Sequence, residues 1–352
     1  MPFGVYVHVP FCARRCDYCA FATWTDRHHL FDAYARACRR EISSAALPPA
    51  SSVFFGGGTP SLLPAHLLCS ILAVIPRQGD AEVTVECNPD SVSAEAFAAY
   101  REAGVTRLSF GAQSTAPHVL ASLGRSHRPG DLEVAVGLAR AAGFDNFNVD
   151  LIFGGAGESL DDWRRTLDDV LALGPAHVSA YALTVEPGTP LASDRPRHPD
   201  DDDQAEKYGV ADSVLSAAGL RNYEISNWAR PGNECRHNLL YWRQGDYRGI
   251  GCAAHSHERG RRWWNVRTPE RYIAAIEEGR SPLAGSEELD AETRLLEGLQ
   301  LSLRTSDGVP ESAIPNDPVF DRLVDRADGR ARLTVEGRLL ANEVAVRLVP
   351  HP

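Results

Sequence analysis

The stretch Tyr6-Val7-His8-Val9-Pro10-Phe11-Cys12-Ala13-Arg14-Arg15-Cys16-Asp17-Tyr18-Cys19 sets three thiols into eight residues, directly after a β-rich run at 5–9. A closed structural zinc site takes four ligands, and none stands in the Ala20-Phe21-Ala22 that follows. Three thiolates so close can instead hold three corners of a cubane iron–sulfur cluster, leaving one iron open to an exchangeable ligand. A zinc knuckle completed by a distant fourth ligand is the alternative that the spacing leaves. Met1-Pro2-Phe3-Gly4 carries no basic leader, and no window approaches about 18 uninterrupted apolar residues, so a cytoplasmic chain with reduced thiols is expected.

Outward from this loop, short β-rich runs at 5–9, 53–55, 82–86, 107–110, 146–152 and 178–181 alternate with helical stretches near 27–46, 64–75, 93–103, 129–142, 159–173 and 201–218. Ser93 reads as an N-cap and Ser159 with Asp162 as a capping box. Six βα units in a row predict an α/β fold, a parallel sheet covered by helices and closed into a partial barrel. In such a fold the chemistry sits where strands end. Cys12 follows the first strand, Gly56-Gly57-Gly58-Thr59-Pro60 the second and Gly111-Ala112-Gln113 the fourth. Glu86 closes the third, and Asp150 lies within the fifth. The rhythm stops near 225. The spacing predicts a barrel over 1–230, a Trp-, Arg- and His-rich cap over 231–268, and a small, mainly helical, winged-helix-like unit over 269–352. In that unit helices are expected at 270–279, 290–303 and 317–326, then a strand at 331–334 and a last helix near 335–349.

Lys+Arg 36 against Asp+Glu 47 leaves a net charge of −11, a poor match to a chain that grips phosphate backbones, so no nucleic acid partner is expected. Lys207 is the only lysine. It stands in an acidic helical stretch without a glycine loop, which excludes Schiff-base and phosphate-loop chemistry. Cys38, Cys69 and Cys87 read as packing residues. The acidic run at 200–203 follows Pro199 and reads as a helix start, not a metal site.

The run Tyr6-x-His8-x-Pro10-Phe11-Cys12-x3-Cys16-x-Tyr18-Cys19 resembles the cluster motif of radical S-adenosylmethionine (SAM) proteins. The branch it resembles holds the oxygen-independent coproporphyrinogen III dehydrogenases and the heme chaperones, and the likeness covers nearly the whole chain. It implies a 4Fe-4S cluster on Cys12, Cys16 and Cys19, with SAM on the backbone of Gly57, Gly58 and Thr59. It also implies Glu86, Gln113, Arg125 and Asp150 at the positions that hold the ribose and carboxylate of SAM, and Tyr6 and Tyr18 as aromatics around it. Such roles suit the residue types, since a carboxylate accepts from ribose hydroxyls and a guanidinium forks a carboxylate.

Within the branch, the dehydrogenases carry a fourth cysteine two positions beyond the third, where this chain has Phe21, and a long N-terminal extension. Cys235-Arg236-His237-Asn238-Leu239-Leu240-Tyr241-Trp242 resembles the H-N-x-x-Y-W motif of the heme chaperones. It implies heme as a third cofactor with His237 as its axial ligand, Cys235 and His255 being further candidates. The bland reading of the same residues is a structural hydrogen-bond node. The resemblance thus implies a heme chaperone that hands heme to an acceptor hemoprotein such as a respiratory, membrane-associated one. A radical SAM decarboxylase acting on a porphyrinogen is the alternative, and the reductant stays open.

Overall fold

Six apolar segments form parallel strands: β1 (Phe3–Val9), β2 (Ala50–Gly57), β3 (Arg77–Cys87), β4 (Arg107–Gln113), β5 (Phe147–Phe153) and β6 (His177–Ala182). In β1, β4 and β5 hardly a residue reaches solvent, the pattern of strands covered on both faces. The computed structural model describes residues 2–349. Between the strands run α1 (Phe31–Ser44), α2 (Ala65–Leu72), α3 (Ala94–Ala103), α4 (Pro117–Ser122), α5 (Asp131–Ala141) and α6 (Leu160–Ala172), and α7 (Asp201–Ala217) follows β6. The expected caps form: Ser93 accepts from the Ala96 N–H, and Ser159 and Asp162 close a reciprocal box. The acidic run is a helix start, with Asp200 accepting from the Asp203 N–H.

Strands β1 to β6 lie side by side in chain order, each parallel to the next, which puts all their C-terminal ends on one rim. The chain beyond α7, which lacks a βα rhythm, extends this sheet at both edges. At one edge β7 (Arg221–Glu224) and β8 (Asn227–Ala229) form a hairpin that pairs antiparallel with β6. At the other, after α8 (Arg236–Trp242), β9 (Asp246–Ile250) pairs parallel with β1. From there β10 (His255–Glu258), β11 (Arg261–Asn265) and β12 (Leu283–Glu288) continue antiparallel to a total of 12 strands.

Helix α9 (Pro269–Glu277) packs Tyr272, Ile273 and Ile276 into the main core, and β12 pairs with β11, so both belong to the barrel side. A second core begins near Leu299 and Leu303, in α10 (Ala291–Leu303), and ends at Leu348. It encloses a three-stranded sheet of β13 (Val309–Pro310), β14 (Val324–Ala327) and β15 (Arg330–Leu333), followed by α11 (Val335–Leu339) and α12 (Ala341–Ala345). The helix expected at 317–326 is instead a single 3-10 turn, Pro318–Phe320, and then β14. Asp317 caps that turn, and Val324 to Ala327 find a ladder partner in β15. No helix among the described residues is long and apolar enough to cross a membrane.

Candidate functional site

The cysteine loop leaves β1 at Pro10 and is stitched back on itself by Trp24 N–H to Pro10 O at 2.8 Å and Cys12 N–H to Trp24 O at 3.1 Å. Fully buried Phe11, edge-on to Phe31 and Tyr34, anchors its base. Its far limb is held by Asp17, whose N–H reaches Leu123 O at 3.2 Å and whose carboxylate pairs with Arg197 at 2.8 Å. Cys12, Cys16 and Cys19 are half-buried and line one cavity of about 570 Å³, together with Tyr18, Gly57, Gly58, Thr59, Glu86, Gln113, Arg125 and Asp150. Burial pushes the Cys12 and Cys19 thiols up, so in the absence of a bound cation both stay protonated at neutral pH. Among the described residues no three His, Cys, Asp or Glu converge on a point that could hold a single metal ion. Three thiols lining one cavity are a donor set that fits three corners of an iron–sulfur cluster.

The glycines at the end of β2 are needed first for the protein's own backbone. A Cβ at Gly58 would stand 2.6 Å from Phe11 O, and one at Gly57, where φ is +112°, 2.4 Å from the His8 ring. The N–H groups of Gly57, Gly58 and Thr59 are spent on Glu86 Oε2, Val9 O and Phe11 O. These bonds clamp the cysteine loop, and what the segment still offers a ligand is acceptor capacity, the complement of an ammonium group.

Glu86 and Asp150 face the same cavity from β3 and β5. Burial first, and the charge of Asp150 second, push the Glu86 carboxyl up to about 8, so it holds a proton at neutral pH. Burial also raises Asp150, although Ser109 Oγ at 2.8 Å and Asn148 Nδ2 at 2.9 Å donate to it. Gln113 ends β4 at a pairing irregularity with a left-handed φ of 67°, the kind of backbone outlier that concentrates at ligand sites. Arg125 donates to Gly111 O at 2.6 Å and Asn88 Oδ1 at 2.9 Å, and Nη1 lies 3.5 Å from Cys16 Sγ. Its Nε is buried with no partner, a donor left over for an incoming carboxylate. Sequence reasoning passed over Ser109, Asn148 and Asn88, which orient the residues it named. Ser109 and Asn148 stand opposite each other in the register of β4 and β5, and Asn88 follows the end of β3, placements that no motif displays.

Two of the expected residues stand elsewhere. Tyr6 turns from the cysteine cavity into a second one of about 860 Å³, while its hydroxyl bonds His8 Nδ1 at 3.0 Å. His237 is sealed inside α8: Nδ1 meets Ser52 Oγ at 2.9 Å, Nε2 meets Tyr241 OH at 2.8 Å, and the ring stacks on Phe54. Burial pushes its pKa down to about 3, so the ring is neutral, and ligation of iron by either nitrogen would first break one of these bonds. Cys235 is buried against Glu82, which also accepts the N–H groups of Arg236 and His237 at the start of α8.

The Radical SAM superfamily model matches residues 6–170. The heme chaperone HemW of Mycobacterium tuberculosis strain H37Rv is 44% identical over 370 aligned residues, covering 99% of this chain and 95% of that protein. The heme chaperone HemW of Bacillus subtilis strain 168 is 34% identical, with 97% of each chain covered. Among solved structures, coproporphyrinogen III oxidase (HemN) from Escherichia coli superposes over 98% of this chain and 89% of that one with a TM-score of 0.84. At 22% identity that likeness establishes the fold alone. With full-length identity to the chaperones, and a thiol-lined cavity where six parallel strands end, this chain belongs to the HemW heme chaperone family of the radical SAM superfamily.

Proposed function

We propose that the chain is a cytoplasmic heme chaperone: it holds a 4Fe-4S cluster on Cys12, Cys16 and Cys19, binds SAM beside it, takes up heme and passes it to an acceptor hemoprotein. When bound, the cluster supplies a vacant iron position and one-electron chemistry. The protein's own groups do the rest. Arg125 Nε, buried without a partner, receives the carboxylate of SAM, and the carbonyls of Gly57, Gly58 and Thr59 face its ammonium. Asp150, held by Ser109 and Asn148, accepts from the ribose hydroxyls, as does Glu86 once it ionises, while Gln113 and Tyr18 close the cavity.

The observation that carries chaperone over decarboxylase is the family identity at full length, and Phe21 agrees with it. That ring, 64% exposed, fills the position where the dehydrogenases place a further cysteine. A respiratory, membrane-associated hemoprotein is the acceptor that we favour. The chain's parts follow as a barrel with the cluster and SAM, a cap carrying the His237 motif, and a C-terminal unit.

Anaerobically prepared protein tests the reading. Iron and sulfide near four each per chain, lost on substitution of Cys12, Cys16 and Cys19 by Ala, are expected. Hemin should bind and then move to an added apo-hemoprotein. Conversion of coproporphyrinogen III to protoporphyrinogen in the presence of SAM and a reductant would replace the chaperone by the enzyme.

A further inference from the structure

The second cavity is lined by Tyr6, Phe21, Tyr241, Tyr247 and Trp264, an aromatic wall suited to a flat apolar macrocycle. Its volume of about 860 Å³ lies in the upper part of the range that ligand cavities occupy. Ala20 and Phe21 line this cavity and the thiol-lined one, so the two share a single partition.

Three histidines line it, and two of them have no free nitrogen. His8 is bound at both ring nitrogens, by Tyr6 OH and Ala22 O at 3.0 Å each. His257 is bound by Gly245 O at 3.0 Å and the Gly260 N–H at 3.2 Å. His255 is exposed into the cavity, and neither of its ring nitrogens is among the hydrogen bonds of the described residues. Its plane is set by stacking on Trp264, its ladder partner in β11, at 5.8 Å between centroids and 25° between planes. Desolvation by the cavity walls lowers its pKa, which keeps the lone pair that iron needs.

The turn that delivers His255 is built rigidly. Half-buried Glu41 accepts from the Gly251 N–H and from Asn265 Nδ2, each at 3.0 Å, and from Tyr272 OH. Gly251, with φ of +98°, tolerates no Cβ, because one would stand 2.3 Å from Tyr34 OH. On the same lining, Arg262 is committed to Glu297 at 3.0 Å, whereas Arg267 has no ion-pair partner among the described residues. In a chain of net charge −11, an unspent guanidinium beside an aromatic cavity answers an anionic substituent.

We propose that the heme of the preceding section is received in this second cavity, with His255 as its one axial ligand from this chain and Arg267 pairing a propionate. His237 acts there only as a positioning residue, through the Tyr241 hydroxyl. The inference rests on the chaperone reading and deepens it: a single protein ligand leaves the other face of the iron to water or to the acceptor's own ligand, which suits a cargo that must leave.

The test is hemin titration of the full-length protein, prepared anaerobically, as wild type, His255→Ala, Arg267→Ala and Tyr241→Phe. Wild type should take up hemin with a shifted Soret band. His255→Ala should lose that band position and weaken binding about tenfold or more, and added imidazole should restore the band without changing far-UV circular dichroism. Arg267→Ala should weaken binding while keeping the band, and Tyr241→Phe should keep the band as well. A wild-type band and affinity in His255→Ala would overturn the ligand assignment and leave the chaperone reading standing. Wild-type protein that takes up no hemin would overturn both.

Discussion

Arg125 Nη1 lies 3.5 Å from Cys16 Sγ while Nη2 is bonded to Gly111 O and Asn88 Oδ1. One planar cation thus ties the cysteine loop to the ends of β3 and β4, and its Nε stays buried without a partner, the donor proposed above for the carboxylate of SAM. Lysine has one point charge and no fork, so Arg125→Lys should behave nearly as Arg125→Leu. Both are expected to weaken SAM binding about tenfold or more, measured by equilibrium dialysis on cluster-loaded protein, with iron content kept in the lysine variant. Wild-type affinity in Arg125→Lys would show that only charge matters at this position.

Gly58 links glycine to cluster retention through the backbone. Its Cβ position lies 2.6 Å from Phe11 O and 2.9 Å from Val9 O, both main-chain atoms that cannot rotate away. Gly58→Ala should therefore push the cysteine loop off β2, costing about 1–3 kcal/mol in urea unfolding and lowering iron and sulfide content. Gly79 is the control, because an added Cβ there meets nothing within 4 Å. Gly79→Ala should leave the cluster in place.

The buried Glu86 gives apoprotein stability a defined pH dependence. Its folded pKa, pushed up to about 8, lies above the ordinary carboxyl value of 4.5, so the unfolded chain ionises first. Stability from this group is complete below the unfolded pKa and is lost as pH rises through the folded one. Glu86→Gln keeps an acceptor for the Gly57 N–H and removes the titration. The variant should match wild type near pH 4 and exceed it by on the order of a few kcal/mol near pH 8, read as a difference in Tm measured without SAM or cluster. A constant difference across that range would count against the protonated carboxyl.

The barrel and its cluster loop were readable because their signals are local. Strands β1, β2, β3 and β5 are runs ended by Pro10, Gly57, Asn88 and Gly154, and Cys12, Cys16 and Cys19 fall within a span of eight residues. The extension of the sheet was hidden for the same reason. Arg261-Arg262-Trp263-Trp264 shows no alternation of apolar with polar, because both its faces are partly wet and its arginines pair with Glu287 and Glu288 across the ladder. Tyr6 faces a cavity whose far walls come from α8, β9 to β12 and α10, chain that stands more than 220 residues away in sequence. His237 looked like a ligand by motif, and nothing in the sequence shows that Ser52, from β2, and Tyr241 engage both its nitrogens.

Lys207 illustrates a role that its surroundings in sequence conceal. The one lysine of the chain, set among acidic residues in α7, is fully enclosed, with Nζ 3.2 Å from Glu158 Oε2 and 2.8 Å from Glu158 O. Glu158 Oε2 in turn accepts the Gly154 N–H at 2.7 Å, fastening the turn after β5, the strand that carries Asp150. Lys207→Met would strand that carboxylate, and a loss of about 3–5 kcal/mol is expected in urea unfolding. The double change Lys207→Met, Glu158→Gln removes the orphaned charge while leaving an acceptor for Gly154, and it should recover most of that loss. SAM affinity should follow stability in both variants, because neither residue touches the cavity. A double variant no more stable than Lys207→Met would mean that packing of the lysine stem, not the charge pair, holds the turn.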